Sequence, residues 1–369
     1  MKKIIQQAFF QLRNQPLLSV ITVLGTALAI ALIMVILIVY QAKTADYAPE
    51  VNRSRSLYVK WERTVYDKKD PNSAGHSRPS LWLVKEIFYP LTTPEAVTAT
   101  YEGGEVLVGT VGSDEEMNTP LMLTDAAFWK VYQFRFLAGK PFTEADFQSG
   151  MKQAVIAKSV ARRLFGGAEN AIGKDILVNF AAYTVCGVVD DVNRFCEFTW
   201  SEVYAPYTSN AIASEAEAGQ TSGNNVITIL ARSTDDFDAI RNEVARGVAQ
   251  INTTLGDMEL QLMGQPDNFR MQLNRKFANQ YENLNANFWK YGIMILIILL
   301  VPAINLSGLT NTRMRRRLEE LGIRKAFGAT RNELVWQVLN ENLVLTVMGG
   351  LLGLALAYLF LWLMSDWLL

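Results

Sequence analysis

Three stretches of this chain, residues 14–42, 291–312 and 342–365, carry no charged side chain, and each is at least 22 residues long. A helix rises about 1.5 Å per residue and a bilayer's hydrocarbon core is about 30 Å thick, so about 20 apolar residues cross it. The buried helices of soluble proteins seldom run so far without a charge. The chain is therefore expected to be a membrane protein with an α-helical transmembrane region. The first apolar run is longer than the ~7–15 residues of a signal peptide, and Ala42-Lys-Thr44 is a poor cleavage site, so this run is expected to stay as an anchor.

Basic residues set the orientation. Lys2, Lys3 and Arg13 precede the first run, and Arg313, Arg315, Arg316, Arg317, Arg324, Lys325 and Arg331 follow the second. Both segments are assigned to the cytoplasm. The long stretch between them, where acids outnumber bases, is assigned outside. Because the arginine cluster abuts a span, a nucleic-acid partner is not expected. The order is then an amphipathic cytoplasmic helix (1–16), with Ile4, Ile5, Ala8, Phe9 and Leu12 on one face, then a first span (17–40) and an extracytoplasmic domain (41–288). A second span (289–310), a cytoplasmic element (311–340) and a third span (341–365) follow.

The extracytoplasmic stretch mixes short strands and helices, an α+β pattern. Residues 96–101 and 105–111 flank Glu102-Gly103-Gly104 and predict a hairpin. Residues 226–232 predict a strand, followed by a helix with Phe237, Ile240, Val244, Val248 and Ile251 on one face. Residues 211–225 have little to bury and predict a mobile loop. Two subdomains are expected: about 45–118 with about 222–270, and an inserted piece of about 119–210. If residues 193–198 return as a partner strand after Asp190-Asp191, Cys186 and Cys196 lie opposite each other at a separation a disulfide can span. The alternative is two buried free thiols. Asp190-Asp191 reads as a turn and His76, the single histidine, as part of a surface loop, so no metal site is expected. The P-loop needs Gly-x4-Gly-Lys-Ser/Thr, and the nearest run, Gly167 to Asp175, has one residue too many and an acid in place of the hydroxyl. The chain is therefore expected to hold no ATP of its own.

After the second span, residues 315–327 read as a helix, Gly328 as a break, and Thr330 with Glu333 as a capping box opening a second helix. This short helical hairpin mixes Arg and Glu, which suits docking on another protein; the other reading is a loop held at anionic headgroups. Gly349-x-x-x-Gly353-x-x-x-Ala357 and Gly25-x-x-x-Ala29 place small residues on one face of the third and first spans, where helices can approach closely.

The run Glu320-Leu-Gly-Ile-Arg-Lys-Ala-Phe-Gly-Ala-Thr-Arg331 resembles the signature of the FtsX-like permease family, which includes MacB-type and lipoprotein-releasing ABC transporters. Gln337-Val-Leu-Asn-Glu341, Gly349-Gly350-Leu-Leu-Gly353 and Leu24-Gly25 fit the same pattern. The run from Thr124 to Gly139, and Ala171-Ile-Gly-Lys174, look like its MacB-like extracytoplasmic domain. The resemblance implies four spans, three of which are seen here and a fourth expected. It implies a dimer with a second permease copy or paralogue, an ABC ATPase partner that carries ATP and Mg, an extracytoplasmic adaptor, and location in a bacterial cytoplasmic membrane. It also implies that ATP-driven movement is transmitted to the outer domain for export or release of a substrate. The residues expected to couple to the ATPase are Glu320, Gly322, Arg324, Lys325, Gly328, Ala329, Thr330 and Arg331. The alternatives are a non-transporting regulator of an envelope enzyme, as in the FtsX branch, and a membrane-anchored ligand sensor.

Overall fold

A computed structural model describes residues 16–110, 112, 116–278, 289, 292–294, 296–297, 300, 322–323 and 325–363. Two compact units emerge: residues 43–282 form one, and the residues before 43 and after 282 form the other. The expected cytoplasmic helix 1–16 lies outside the described residues but for Pro16, and most of the stretch 291–312 does too.

The larger unit is built on β-structure. Its strands are β1 (Ser56–Val59), β2 (Glu62–Asp67), β3 (Asp70–Pro79), β4 (Ala96–Thr110), β5 (Glu116–Thr124), β6 (Phe136–Gly139) and β7 (Gln153–Ala157). They continue with β8 (Asp175–Val178), β9 (Ala181–Val189), β10 (Val203–Pro206), β11 (Ser222–Gly223), β12 (Asn225–Leu230), β13 (Glu259–Gln261) and β14 (Asp267–Asn268). Among the described residues, one sheet runs β14-β1-β12-β4-β5-β10-β7-β9-β6, and β8 pairs with both β4 and β9. The neighbours β4, β5, β10, β7, β9 and β8 therefore close into a ring, which removes free edges. A smaller sheet runs β11-β3-β2-β13.

The predicted hairpin at Glu102-Gly103-Gly104 is instead one 15-residue strand, β4. Its first half pairs with β12, from Asn225↔Tyr101 to Leu230↔Ala96, and its second half with β8, from Val108↔Val178 to Thr110↔Ile176. The register against β5 shifts between Glu102 and Gly104, where Gly104 has φ +72°. The two glycines make a bulge that bends the strand rather than reversing it. The two expected subdomains are consequently two ends of one sheet, joined where β5 pairs with β4 on one side and β10 on the other.

The core follows from strand composition. All six residues of β12 and all four of β1 are buried, as expected of central strands covered on both faces. Helix α3 (Phe237–Asn252) buries Ile240, Val244 and Ile251, and Gly247 lets it approach Ile87, where a Cβ would meet the Ile87 side chain at 3.0 Å. Phe237 and Val248 of the predicted face are partly buried against the same core.

The two cysteines are free, with Cys186 half-buried and Cys196 buried. The stretch after β9 does not return as a strand; it turns instead, with Cys196 N–H donating to Asn193 O at 2.9 Å. Cys186 Sγ faces Ala154 O at 3.4 Å, whereas Cys196 Sγ takes a hydrogen bond from Arg53 Nη2 at 3.5 Å. Asp190 and Asp191 serve the neighbouring helix α2 (Lys158–Phe165): Lys158 pairs with Asp190 at 3.5 Å, and Asp191 accepts Ser159 N–H at 2.9 Å. His76 lies on β3 opposite Arg63, not in a loop.

Candidate coupling element and helix pair

The motif from Glu320 to Arg331 folds as a helical hairpin across its described residues. Gly322, Ile323, Lys325 and Ala326 are helical. Phe327 N–H donates to Ile323 O at 3.0 Å and Gly328 N–H to Lys325 O at 3.1 Å. Gly328 then takes φ +94°, the left-handed conformation that ends helices and that side chains with a Cβ resist. The next helix is capped reciprocally. Glu333 N–H donates to the Thr330 hydroxyl oxygen at 3.4 Å, and the Glu333 carboxylate accepts Thr330 N–H at 2.8 Å and its O–H at 2.9 Å. These bonds from Thr330, backbone first, hold the Glu333 carboxyl below its ordinary value.

That helix, α4 (Arg331–Leu363), continues for 33 residues. The second arm of the hairpin and the stretch expected as the third span are therefore a single rod about 50 Å long, without a joint near residue 340. Lys325, Gly328, Thr330 and Arg331 are exposed and Ala329 is half-buried at the bend, so the described members of the predicted set share one tip. Gly322 lies one turn back on the first arm. Glu320 and Arg324 lie outside the described residues.

Sequence reading missed the apolar part of this tip. Phe327 is 89% exposed and Ile323 59% exposed, four residues apart on one helical face. That i, i+4 spacing was the available signal. An aromatic side chain bared beside two basic groups matches the anchor residues of protein interfaces.

Two helices in the smaller unit are long and apolar enough to cross a membrane: residues Ser19–Thr44 of α1 (Pro16–Thr44), with mean hydropathy 2.9, and Asn342–Leu363 of α4, with 2.2. Their large apolar side chains, such as Leu28, Leu32, Leu351 and Leu354, are exposed, as lipid-facing residues are. On α4, Leu345, Gly349, Gly353 and Ala357 are buried at a four-residue repeat, and the two glycines face α1. A Cβ at Gly349 would meet Thr26 Cβ at 2.8 Å and Val23 O at 3.0 Å, and one at Gly353 would meet Ala27 O at 2.6 Å and Ile30 Cβ at 3.0 Å. The glycines thus set the helix separation. Higher positions on one helix meet higher positions on the other, so α1 and α4 run parallel.

On α1, Ser19, Thr22, Thr26 and Ala27 are buried, whereas Gly25 and Ala29 are only half-buried. Thr26 O–H donates to Thr22 O at 2.8 Å, which satisfies the hydroxyl within the helix and leaves its small methyl for packing.

Comparison with known proteins supplies the family. Residues 19–246 match the MacB-like periplasmic core domain and residues 292–369 the FtsX-like permease C-terminal domain. The ABC transporter permease YknZ of Bacillus subtilis (strain 168) is 23% identical over 345 residues, covering 92% of this chain and 81% of that protein. The macrolide export ATP-binding/permease protein MacB of Wolinella succinogenes is 25% identical over 359 residues, 95% of this chain but 52% of its own length, so the chain spans about half of that relative. The extracellular domain of YknZ, a solved structure, is 19% identical with a TM-score of 0.40, covering 56% of this chain and 99% of the domain. With the periplasmic core domain matched over more than half its length and the permease domain following, the chain belongs to the MacB/FtsX-type permeases of ABC transporters.

Proposed function

We propose that this chain is the permease-type subunit that carries ATP-driven movement of a separate ATPase to its own extracytoplasmic domain, for export or release of a substrate. The observation that carries the reading is the capped hairpin: an exposed tip of Phe327, Ile323, Lys325 and Arg331 continuous with the rod of α4. A push on that tip reaches the far end of the helix because nothing in α4 absorbs it. At Gly349 and Gly353 the rod bears on α1, which leads into the domain of residues 43–282.

The topology supports the same reading. Two parallel spans in one chain need a return crossing between them, and residues 291–312 are a charge-free stretch of the right length. The hairpin and the N-terminus then share the side richest in arginine, the cytoplasm, and the domain of residues 43–282 lies outside the cytoplasmic membrane. The expected partners are an ABC ATPase, which holds ATP and Mg, a second permease copy or paralogue, membrane lipid and an extracytoplasmic adaptor.

Gly328→Val tests this. Valine at φ +94° costs at least about 1–2 kcal/mol locally and re-aims the tip, while the spans are untouched. The expected result is normal membrane insertion with loss of the ATP hydrolysis that co-purifies with the wild-type chain. Wild-type hydrolysis in a correctly inserted variant would contradict the assignment.

A further inference from the structure

Among the described residues, four carboxylates of the domain of residues 43–282 are buried: Glu50, Glu62, Asp125 and Asp267. Three of them meet a cation or backbone amides. Glu50 accepts Arg53 Nε at 2.7 Å, and Arg275 clasps both oxygens of Asp267, one contact at 2.9 Å. Asp125 accepts the backbone N–H groups of Ala99 at 2.9 Å and Phe128 at 3.0 Å. Glu62, the first residue of β2, is 0% exposed and takes only two hydroxyls, Thr64 O–H at 2.6 Å and Ser222 O–H at 2.9 Å. The Thr64 hydroxyl lies 2.8 Å from that of Thr221. A carboxylate held away from water by neutral donors alone is costly when charged.

Among the described residues, no charge faces Glu62 from the elements around it. Along β2, Arg63 is on the opposite face, bonded to Gln261 Oε1 at 2.7 Å. On β3, His76 is opposite Arg63, and Arg78 pairs with Glu102 at 2.9 Å. On β13, Glu259 is opposite Val65, so these side chains all share the face of Arg63. Lys60, just before β2, pairs with Glu197, and the four charges of residues 67–70 form an exposed turn at the far end. On the helices beside the sheet, Lys85, Glu86 and Arg246 are exposed, Arg241 pairs with Asp238, and Glu243 accepts Thr92 O–H. Burial is accordingly the largest influence on the Glu62 carboxyl and pushes it above its ordinary value, against the lowering by Thr64 and Ser222.

We infer that Glu62 is a pH-operated latch: protonated, it holds residues 220–223 against the small sheet, and ionised, it lets them open. The rest of that hold is slight. Ser80 N–H donates to Thr221 O at 2.8 Å and the Ser80 hydroxyl to Gln220 O. The two-residue strand β11 covers the outer edge of β3 with Ser222 opposite Pro79, which has no N–H to give. Hydroxyls suit a two-state hold, because by rotation alone they donate to a carboxylate or accept from a carboxylic acid. The charged form gains by opening, since water then reaches the carboxylate. The hold is therefore complete below about 4.3, the value of a hydrated glutamate, and is lost as pH rises through the raised value of the closed state. Under the reading above, in which this domain lies outside the cytoplasmic membrane, the latch senses the pH there. The pH response itself does not depend on that placement.

The test is hydrogen exchange of the full chain in nanodiscs at pH 5 and pH 8, read by mass spectrometry as protection relative to an unstructured chain at each pH. The wild type is expected to lose at least about fivefold protection over residues 218–224 between the two. Glu62→Gln, which mimics the protonated acid at every pH, is expected to change less than about twofold there. Other buried acids titrate alike in both proteins, so the difference belongs to Glu62. Ser222→Ala removes one of the two donors to the charged form and is expected to carry the loss to higher pH. An equal loss in the wild type and Glu62→Gln, no loss in the wild type, or a Ser222→Ala response unshifted or shifted to lower pH overturns the latch.

Discussion

At the residue scale the decisive positions are those where chemistry and exposure disagree. Phe327 is the largest apolar side chain at the hairpin tip and is almost fully bare. The sequence places it only at the end of the first helix, and the hairpin's geometry puts it outside. The capping pair Thr330 and Glu333 was legible directly, since its spacing is its mechanism. With its carboxyl held low, Glu333 supports the helix start fully above its unfolded value of about 4.3 and loses that support as pH falls through the lowered one. The cap is therefore intact at neutral pH. Thr330→Ala is expected to cost about 1 kcal/mol at that helix start, read as faster amide exchange over residues 331–335. Unchanged exchange would contradict the cap. Of the free cysteines, Cys196 is buried and Cys186 half-buried. Burial pushes Cys186 up to about 12 and Cys196 up to about 11, so neither forms appreciable thiolate near neutrality. Iodoacetamide at pH 7.5 is expected to modify neither in the native protein and both after denaturation, as mass spectrometry would show. Rapid native labelling of Cys196 would contradict its burial beside Arg53.

At the scale of elements, the two helices long and apolar enough to cross a membrane were legible because an uninterrupted apolar run of that length favours a helix. The bend in β4 was not, because Gly103-Gly104 signals a turn and a bulge alike, and only the partners β12 and β8 decide between them. On α4 the small-residue stripe is a plain four-residue repeat. On α1 the contact is made by back-bonded Thr26 with Ala27, Ile30 and the Val23 carbonyl, which a search for glycine and alanine at that spacing passes over. The pairing makes a sharp prediction. At Gly353 even one added carbon meets a backbone oxygen at 2.6 Å, so Gly353→Leu is expected to separate α1 from α4. Disulfide crosslinking between cysteines placed at Val23 and Thr346 would report this as reduced yield. Gly350→Leu, with only Ile30 at 3.5 Å, is expected to crosslink nearly as well as the wild type. Equal loss in both would mean that the glycine stripe does not set the contact.

At the scale of the whole molecule, the chain is two compact units with different roles under the transmission reading. The helical unit receives movement, and the β-rich domain delivers it. The sequence conveyed this division through charge alone, but not that one long sheet joins the two expected subdomains. A sheet shared by distant segments leaves no mark in local composition. The central claim is that the tip around Phe327 docks on an ATPase. The most direct measurement is to co-express the chain with the ATPase encoded beside it, purify through a tag on the chain, and compare wild type with Phe327→Glu for bound ATPase and ATP hydrolysis. A stable, active complex is expected for the wild type and at least a tenfold loss of both for the variant, with the chain still inserted in the membrane. An undiminished complex with Phe327→Glu, or no ATPase with the wild type, would contradict the claim.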